Sequence, residues 1–168
     1  SSAEAQTISS YCITGLRTLS AISDAIALGR IEVGIAGGAD SFSHADMDIF
    51  VEPSTGLSMG QHMEITAKEW DISREDKDRI ALASHENAIA ARENLAQEIV
   101  PLLGIENDTG PRRATSLDAL ARLKPVFDQN GTLTAGNSSP VTDGAAALLL
   151  MSEERARYEG LDVLAFIK

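Results

Sequence analysis

The chain has 168 residues, of which 43% are hydrophobic and 4% aromatic, and its formal net charge is −11. This length suits one ordinary domain with a real core, and the many small apolar residues suit packed α/β layers better than a β-sandwich. The negative charge argues against nucleic acid as a partner, and no apolar run approaches the roughly 20 residues of a membrane span.

The first predicted element is a helix that begins at the only cysteine of the chain, within the stretch SSYCITGL at residues 9–16. Apolar residues then recur at close to helical period until Gly29 supplies the stop. Ser9 or Ser10 can cap this helix, which would place Cys12 in its first turn. Unpaired N–H groups and the positive end of the helix dipole favour a thiolate there, as a sulfur nucleophile requires. The alternative is that Cys12 is a small buried hydrophobic residue, as lone cysteines often are. A single cysteine cannot form an internal disulfide, which suits a reducing compartment.

The next stretch, RIEVGIAGG at residues 30–38, predicts a strand buried on both faces, as in a parallel sheet. An irregular segment follows, and residues 61–70 predict a short helix. His44 lies near Asp46 and Asp48, but these residues lack a spaced set of further ligands. The sequence therefore predicts no metal site, and His62 and His85 are expected to be structural.

The rest of the chain alternates between helices and strands. The predicted elements are a helix over 74–94 capped by Ser73 that buries Ile80, a short helix from Ser116 to Leu123, a buried strand over 145–151, a helix from Glu153 to a stop at Gly160, and a strand over 163–167. Residues 131–144 form a loop rich in small polar residues, which exposes backbone donors and hydroxyls. The densest basic group, Arg112, Arg113, Arg122 and Lys124, is either a local patch for a phosphorylated ligand or a solvated turn.

Several of these stretches together resemble the thiolase family. The similar segments are SSYCITGLRTL, IEVGIAGGADSFS, MGQHMEITAKEWDISREDKD, the stretch from Arg113 to Phe127, and GTLTAGNSSPVTDGAAALLLMSEE. They occur in the order that the family has and cover nearly the whole chain. Such an ordered set is far more specific than any single glycine motif.

The resemblance implies an α/β fold, a thiolase-like layered α/β sandwich that forms part of the N-terminal half of the family fold, with an inserted and mostly helical loop region. Residues 1–42 would form part of the N-terminal domain, with the nucleophile helix and a strand. Residues 43–128 would form the loop domain, and residues 129–168 would return to the N-terminal domain and start the C-terminal half.

The resemblance also assigns roles to five residues. Cys12 corresponds to the nucleophile that takes the acyl group as a thioester, and Ser139 to the serine that lines the pantetheine end of coenzyme A. Met59 falls where the family has a methionine at the border of the substrate tunnel. Arg112 falls where the family has an arginine near the nucleotide end of the coenzyme, and Arg113 is the substitute one residue on. No metal and no bound cofactor are implied, because coenzyme A and acyl-CoA are substrates.

The function implied for the whole protein is acyl transfer to and from coenzyme A, as thiolytic cleavage or reverse Claisen condensation of a 3-ketoacyl-CoA in fatty-acid β-oxidation. The histidine, the asparagine and the second cysteine of the family active site lie outside this chain. We therefore expect this chain to carry the acylation half of the active site and not to turn over substrate when it is alone. A homodimer or homotetramer is implied, with a multienzyme complex of β-oxidation as a further partner. The expected location is the cytoplasm of a bacterium, or a mitochondrion or peroxisome in a eukaryote.

Two other functions remain open at the level of sequence. A decarboxylating condensing enzyme shares the fold and a nucleophilic cysteine, although the stretches ITAKEWDISRED and TAGNSSPVTDGAA favour a thiolase. A protein that binds acyl-CoA without catalysis would keep the fold and lose the chemistry. Retention of Cys12 at the start of a helix speaks against this second alternative.

Overall fold

The structure, a computed structural model, describes residues 3–43 and 50–168. Contacts divide the chain into a first unit, Ser1–Ala45 with Thr142–Lys168, and a second unit, Asp46–Val141. The elements in chain order are a 3₁₀ turn Tyr11–Ile13, α1 Thr14–Ala27, β1 Val33–Asp40, α2 Met59–Glu69, α3 Arg74–Ala90, α4 Arg92–Leu95, α5 Leu117–Ala121, β2 Gly144–Met151 and α6 Glu153–Glu159.

The first unit contains a two-stranded antiparallel sheet. β1 and β2 pair along their whole length, with Ile35 opposite Leu149 and Gly37 opposite Ala147. The predicted strand is present, but the parallel arrangement predicted for it is wrong within the described part of the chain. A continuous run of small apolar residues fits both arrangements, because alanine and glycine side chains carry little of the pattern that separates them.

Most residues of these two strands are exposed, which contradicts the predicted burial of β1 and β2. Ala36 in β1 and Leu150 in β2 are buried, whereas Ile35 is 71% exposed and Leu149 is 60% exposed. Since α1 packs on the face of β1 that carries Gly34 and Ala36, the alternate side chains point away from that helix.

Glycines of β1 allow α1 to lie close to the sheet. A Cβ at Gly34 would lie 2.6 Å from Cγ2 of Ile22, and a Cβ at Gly38 would lie 3.9 Å from Cα of Gly15. Thr18 Oγ1 donates a hydrogen bond to the carbonyl oxygen of Gly37 at 3.1 Å. The first turns of α1 therefore lie beside the carboxyl end of β1.

Serine side chains cap three helices of the second unit. Ser58 forms a capping box with Gln61 at the start of α2. Ser73 Oγ accepts from the N–H of the third residue of α3 at 3.1 Å, and Ser116 does the same for α5 at 3.2 Å. The predicted caps at Ser73 and Ser116 are confirmed, because serine oxygen replaces a missing intrahelical acceptor in each case. α3 ends at Ala90, earlier than predicted.

Several apolar residues expected inside the protein are exposed. Ile80 on α3 is 71% exposed, although helical period predicted its burial. The predicted strand over 163–167 is not formed, and Leu164 in that segment is 95% exposed. The prediction for the preceding helix is confirmed, since α6 ends at Gly160 in a left-handed conformation with φ of 68°. None of the helices in the described ranges is long and apolar enough to cross a membrane.

The segment 129–141 belongs to the second unit, while the predicted domain boundaries at 42/43 and 128/129 stay a prediction. The backbone N–H groups of Thr132 and Leu133 donate to the carboxylate of Glu64 on α2, which ties this segment to the helices. Such a tie between distant residues leaves no local signal in the sequence.

Gly37→Ala is expected to lower the free energy of unfolding by about 2 kcal/mol, as overpacking typically does. The added Cβ would lie 2.8 Å from the carbonyl oxygen of Ala146 in the paired strand. Gly144→Ala is the matched control, because a Cβ at that strand position would meet nothing within 4 Å. Urea unfolding of both variants measures the difference, and equal effects would contradict the proposed close approach.

Candidate active site

The only cysteine of the chain is exposed, in a 3₁₀ turn that leads directly into α1. The turn is Tyr11–Ile13, and α1 begins at Thr14. Cys12 therefore precedes α1. The prediction that it lies in the first turn of that helix is wrong. Tyr11 has a φ of 52°, a left-handed conformation that is uncommon for a residue with a side chain. The backbone thus turns sharply just before the sulfur, and the thiol is accessible to a substrate.

A threonine side chain holds this turn, and the predicted serine caps are absent. Neither Ser9 nor Ser10 caps the 3₁₀ turn or α1 through its hydroxyl. Instead, Thr14 Oγ1 accepts from the N–H of Ser10 at 2.8 Å and donates to the carbonyl oxygen of Tyr11 at 2.8 Å. The hydroxyl of Thr14 thereby links the residues on either side of the turn, so that the backbone around Cys12 is held by hydrogen bonds.

An aspartate at the start of β2 holds the segment that follows β1. Asp143 Oδ1 accepts from the N–H groups of Phe42 at 2.6 Å and Ser43 at 2.9 Å, and Oδ2 accepts from the Ser43 hydroxyl at 2.6 Å. The hydroxyl bond from Ser43, with the backbone bonds, holds the pKa of the Asp143 carboxyl below its ordinary value. The same carboxylate lies in the TDGAA part of the stretch that resembles thiolases.

The second unit is organised around a buried carboxylate on α2. Glu64 is only 2% exposed. Its Oε1 accepts from the N–H of Thr132 at 2.8 Å and from the N–H of Leu133 at 2.7 Å, and Oε2 accepts from the Thr132 hydroxyl at 3.2 Å. Charge-assisted bonds of this kind replace the water that the carboxylate loses on burial. They also fix the point from which the polar loop to Ser139 departs.

A second buried carboxylate, Asp78 on α3, pairs with the arginine one turn earlier. Asp78 is 3% exposed, and Arg74 Nε donates to both of its oxygens, at 3.1 and 2.9 Å. The Arg74 guanidinium also donates to the carbonyl oxygens of Leu120 and Leu123 at the end of α5. This ion pair therefore connects α3 with α5, and its buried charges are satisfied by hydrogen bonds.

The predicted substrate-binding residues of the second unit are exposed. Ser139 is exposed at the end of the polar loop, and its hydroxyl is 3.4 Å from the carbonyl oxygen of Pro140. Met59 is the first residue of α2 and is 66% exposed. Both side chains are therefore accessible to a ligand. Cys12 belongs to the first unit and these residues to the second, so each unit supplies part of the predicted set.

Arg112 and Arg113 lie in the loop that precedes α5, and both are exposed. The N–H of Arg112 donates to Nδ1 of His85 on α3 at 3.2 Å. Neither guanidinium forms an ion pair with any residue in the described ranges. Arg113 lines a small cavity of about 30 Å³ together with Arg92 and Asn107. His85 thus accepts a hydrogen bond from the backbone of this basic loop.

The other described histidine also belongs to a loop contact. His62 Nε2 lies 2.9 Å from the hydroxyl of Thr55, in the turn before α2. In the same turn, the Ser54 hydroxyl and neighbouring backbone bonds lower the pKa of Glu52 to about 2. No three His, Cys, Asp or Glu side chains within 3–43 and 50–168 come together as metal ligands would. The rejected metal hypothesis involves His44, Asp46 and Asp48, which lie outside the described residues.

Sequence reasoning missed Glu64 and Asp78 as residues that build the site. Their partners are 68 and 59 positions further along the chain, at Thr132 and Asn137, so no local pattern links them. Their residue types gave no signal either, because glutamate and aspartate side chains on helices are mostly exposed.

Comparison with known proteins identifies the family. The profile described as "Thiolase, N-terminal domain" matches residues 1–57 and 48–154. The chain is 34% identical to a 3-ketoacyl-CoA thiolase of Pseudoalteromonas translucida over 99% of this chain and 49% of the relative. It is 39% identical to an acetyl-CoA acetyltransferase of Pseudomonas aeruginosa over 97% of this chain and 50% of the relative. The chain belongs to the thiolase family, and it spans about half the length of these curated relatives.

Solved structures agree with this assignment. An acetyl-CoA acetyltransferase from Bacillus anthracis is similar with a TM-score of 0.79 at 30% identity, covering 90% of this chain and 46% of that chain. The corresponding enzyme from Syntrophomonas wolfei gives a TM-score of 0.78 at 29% identity, with coverage of 89% and 45%. The predicted α/β fold of the thiolase type is therefore confirmed.

Glu64→Gln is expected to lower the free energy of unfolding by roughly 3 kcal/mol, because the amide offers one acceptor oxygen where the carboxylate offers two. Its NH₂ group, in the place of Oε2, would also face the N–H of Thr132. Glu69→Gln on the same helix is the matched control, since Glu69 is exposed. Urea unfolding compares the two variants. A loss at Glu64 no larger than at Glu69 would show that the buried carboxylate does not hold this loop.

Asp143→Asn is expected to reduce stability at neutral pH but not in acid. Because folding lowers the pKa of Asp143 from its ordinary value of 3.8, its stabilisation is fully present above that value. The stabilisation is lost as pH falls through the lowered pKa of the folded protein. The difference in unfolding free energy between the wild type and Asp143→Asn should therefore shrink below 3.8. Asp162→Asn, an exposed control, should show no such loss. If the difference in unfolding free energy between the wild type and Asp143→Asn does not depend on pH, the Asp143 carboxylate does not stabilise the fold through its hydrogen bonds to Phe42 and Ser43.

Proposed function

We propose that the whole protein is a 3-ketoacyl-CoA thiolase, which transfers acyl groups to and from coenzyme A through a thioester on Cys12. The relatives named 3-ketoacyl-CoA thiolase and acetyl-CoA acetyltransferase support this class of reaction. The observation that carries the proposal is the exposed thiol of Cys12, in a sharp turn at the start of α1.

This position suits a sulfur nucleophile for two physical reasons. Cys12 lies directly before α1, at the end of the helix where the first N–H groups have no intrahelical acceptors. The turn, in which the backbone of Tyr11 is left-handed, also leaves the thiol of the next residue exposed at the surface. A buried, inert cysteine would need the opposite placement, among packed side chains.

The proposed reaction proceeds in two halves. In the first, the thiolate of Cys12 attacks the 3-keto carbon, the bond between C2 and C3 breaks, and the enolate of acetyl-CoA leaves and takes up a proton. In the second, coenzyme A gives up its thiol proton, its sulfur attacks the thioester, and Cys12 leaves as thiolate with release of the shortened acyl-CoA. Condensation is the reverse of these steps.

Proton transfer in both halves requires groups other than the histidines described above. His62 contacts Thr55 and His85 accepts from the backbone of Arg112. In the proposal, the acid and base are the histidine and second cysteine that the thiolase family carries in its C-terminal half. Turnover then requires the whole protein, and this chain supplies the acyl acceptor.

The second unit supplies the proposed contacts with coenzyme A. In this proposal Ser139 lines the pantetheine chain, Met59 borders the acyl tunnel, and Arg112 or Arg113 pairs with the phosphates of the nucleotide end. The exposure of all four residues supports these roles. A phosphate needs a cation that is not already neutralised, and no described residue forms an ion pair with either arginine.

Further properties follow from the same proposal. Coenzyme A and acyl-CoA act as substrates, and no resident cofactor is required. We propose a homodimer or homotetramer that acts in fatty-acid β-oxidation, with a multienzyme complex as a further partner. The relatives compared come from bacteria, which supports a bacterial cytoplasmic location.

Cys12→Ser in the full-length protein is expected to lower kcat for thiolysis of acetoacetyl-CoA by at least about a thousandfold, because a hydroxyl is a far poorer nucleophile and leaving group than a thiol. Ser9→Ala is the matched control, since Ser9 is exposed and its hydroxyl caps no helix. Steady-state kinetics with both variants measures the effect.

The outcomes separate the proposed function from its rivals. Full activity of Cys12→Ser would overturn the role of Cys12. A wild-type protein that binds acetoacetyl-CoA but neither cleaves it nor reacts rapidly with iodoacetamide would instead be a binding protein. Release of carbon dioxide from malonyl-CoA, without thiolysis, would identify a decarboxylating condensing enzyme.

A further inference from the structure

The loop that leads to Ser139 is closed by the side chain of one asparagine. Asn137 Oδ1 accepts from the N–H of Thr134 at 2.8 Å, and Asn137 Nδ2 donates to the carbonyl oxygen of Thr132 at 3.1 Å. The N–H of Gly136 donates to the Thr134 hydroxyl at 3.1 Å, and Thr134 itself is fully buried. The Asn137 carboxamide therefore joins the two ends of the segment 132–137.

The same carboxamide is anchored to a helix by the second buried carboxylate. Asn137 Nδ2 donates to Asp78 Oδ1 at 2.8 Å. Asp78 is in turn held by Arg74, whose guanidinium also donates to carbonyl oxygens at the end of α5. Through this chain of contacts, the position of Asn137 is fixed relative to α3 and α5.

Ser139 has little other support of its own. It is exposed, and among the described residues its hydroxyl contacts the carbonyl oxygen of Pro140 at a long 3.4 Å. Pro140 donates no backbone hydrogen bond, since proline has no N–H. The location of the Ser139 hydroxyl thus depends on the last firmly held residue before it, which is Asn137.

We infer that Asn137, anchored by Asp78, is a positioning residue that sets where Ser139 meets coenzyme A. This inference rests on the proposed function, in which Ser139 lines the pantetheine chain. Asn137 does not itself touch the ligand in this account. Its effect on catalysis is transmitted through the backbone of residues 137–139, and it should therefore appear in the binding of coenzyme A.

Exchanging donor and acceptor atoms tests the contact directly. Asn137→Asp removes the two hydrogen bonds that Nδ2 donates and places a second carboxylate against Asp78, which was 2.8 Å from that nitrogen. Like charges at this distance repel strongly in a buried site. The double variant Asp78→Asn with Asn137→Asp restores one donor and one acceptor to this contact, but it also removes the ion pair between Arg74 and Asp78, so only part of the loss should be recovered. Coupling of the two changes would show that they act on one interaction.

The experiment measures KM for coenzyme A and kcat for thiolysis of acetoacetyl-CoA, together with the melting temperature, in the full-length protein. For Asn137→Asp we expect KM for coenzyme A to rise about tenfold, with kcat per folded enzyme changed by less than about threefold. The double variant should recover part of that loss in KM. Asn130→Asp is the matched control, because Asn130 is exposed in the same polar region and should leave KM unchanged.

Each outcome decides between a positioning role and a structural one. If Asn137→Asp lowers the melting temperature but leaves KM unchanged, the inference is overturned. If Asn137→Asp does not fold, Asn137→Ala, which adds no charge, is judged by the same change in KM.

Ser139→Ala separates this inference from the proposed function. An unchanged KM for coenzyme A in Ser139→Ala would refute the proposed role of Ser139, whatever Asn137→Asp shows. A raised KM in Ser139→Ala with an unchanged KM in Asn137→Asp would refute the positioning role alone.

Discussion

The carboxylate of Glu64 accepts hydrogen bonds from the consecutive N–H groups of Thr132 and Leu133 while the residue is only 2% exposed. A charge in this position is tolerated only because these donors replace its water, so the chain has to return to α2 at that point. The polar loop that follows, with Asn137 and Ser139, therefore starts from a fixed place in the second unit. Without the carboxylate, the N–H groups of half-buried Thr132 and buried Leu133 would lose their acceptor.

In both units, polar side chains bind backbone atoms of a short segment that carries a predicted site residue. In the first unit the hydroxyl of Thr14 brackets the turn with Cys12, and Asp143 binds the segment after β1. In the second unit Glu64 accepts from backbone N–H groups of the loop with Ser139, whereas Asp78 holds the same loop through the side chain of Asn137. Hydrogen bonds to backbone groups have a fixed direction, whereas apolar contacts do not, so they suit segments whose exact course matters. The exposed thiol and the exposed serine hydroxyl are thereby presented by otherwise irregular stretches.

Features that depend on neighbouring residues could be predicted from the sequence. Features that depend on contacts between distant residues could not. Caps at Ser73 and Ser116 follow from rules that span three residues, and both are confirmed. The sequence predicted a nucleophile at Cys12, and the thiol is exposed. The left-handed conformation of Tyr11 left no signal in the sequence, because tyrosine rarely adopts it. Sheet direction and the role of Glu64 depend on partners more than sixty positions away, and helical period or strand pattern does not encode such pairings.

The central claim is that the sulfur of Cys12 carries the acyl group during turnover. Rapid acid quenching of the full-length protein with acetoacetyl-CoA in the absence of free coenzyme A, followed by peptide mass spectrometry, tests it directly. The account predicts one acetyl group on the peptide that contains Cys12, released when coenzyme A is added before the quench. An unmodified Cys12 peptide in an enzyme that nevertheless cleaves the substrate, or an acetyl group held on a different residue, would contradict it.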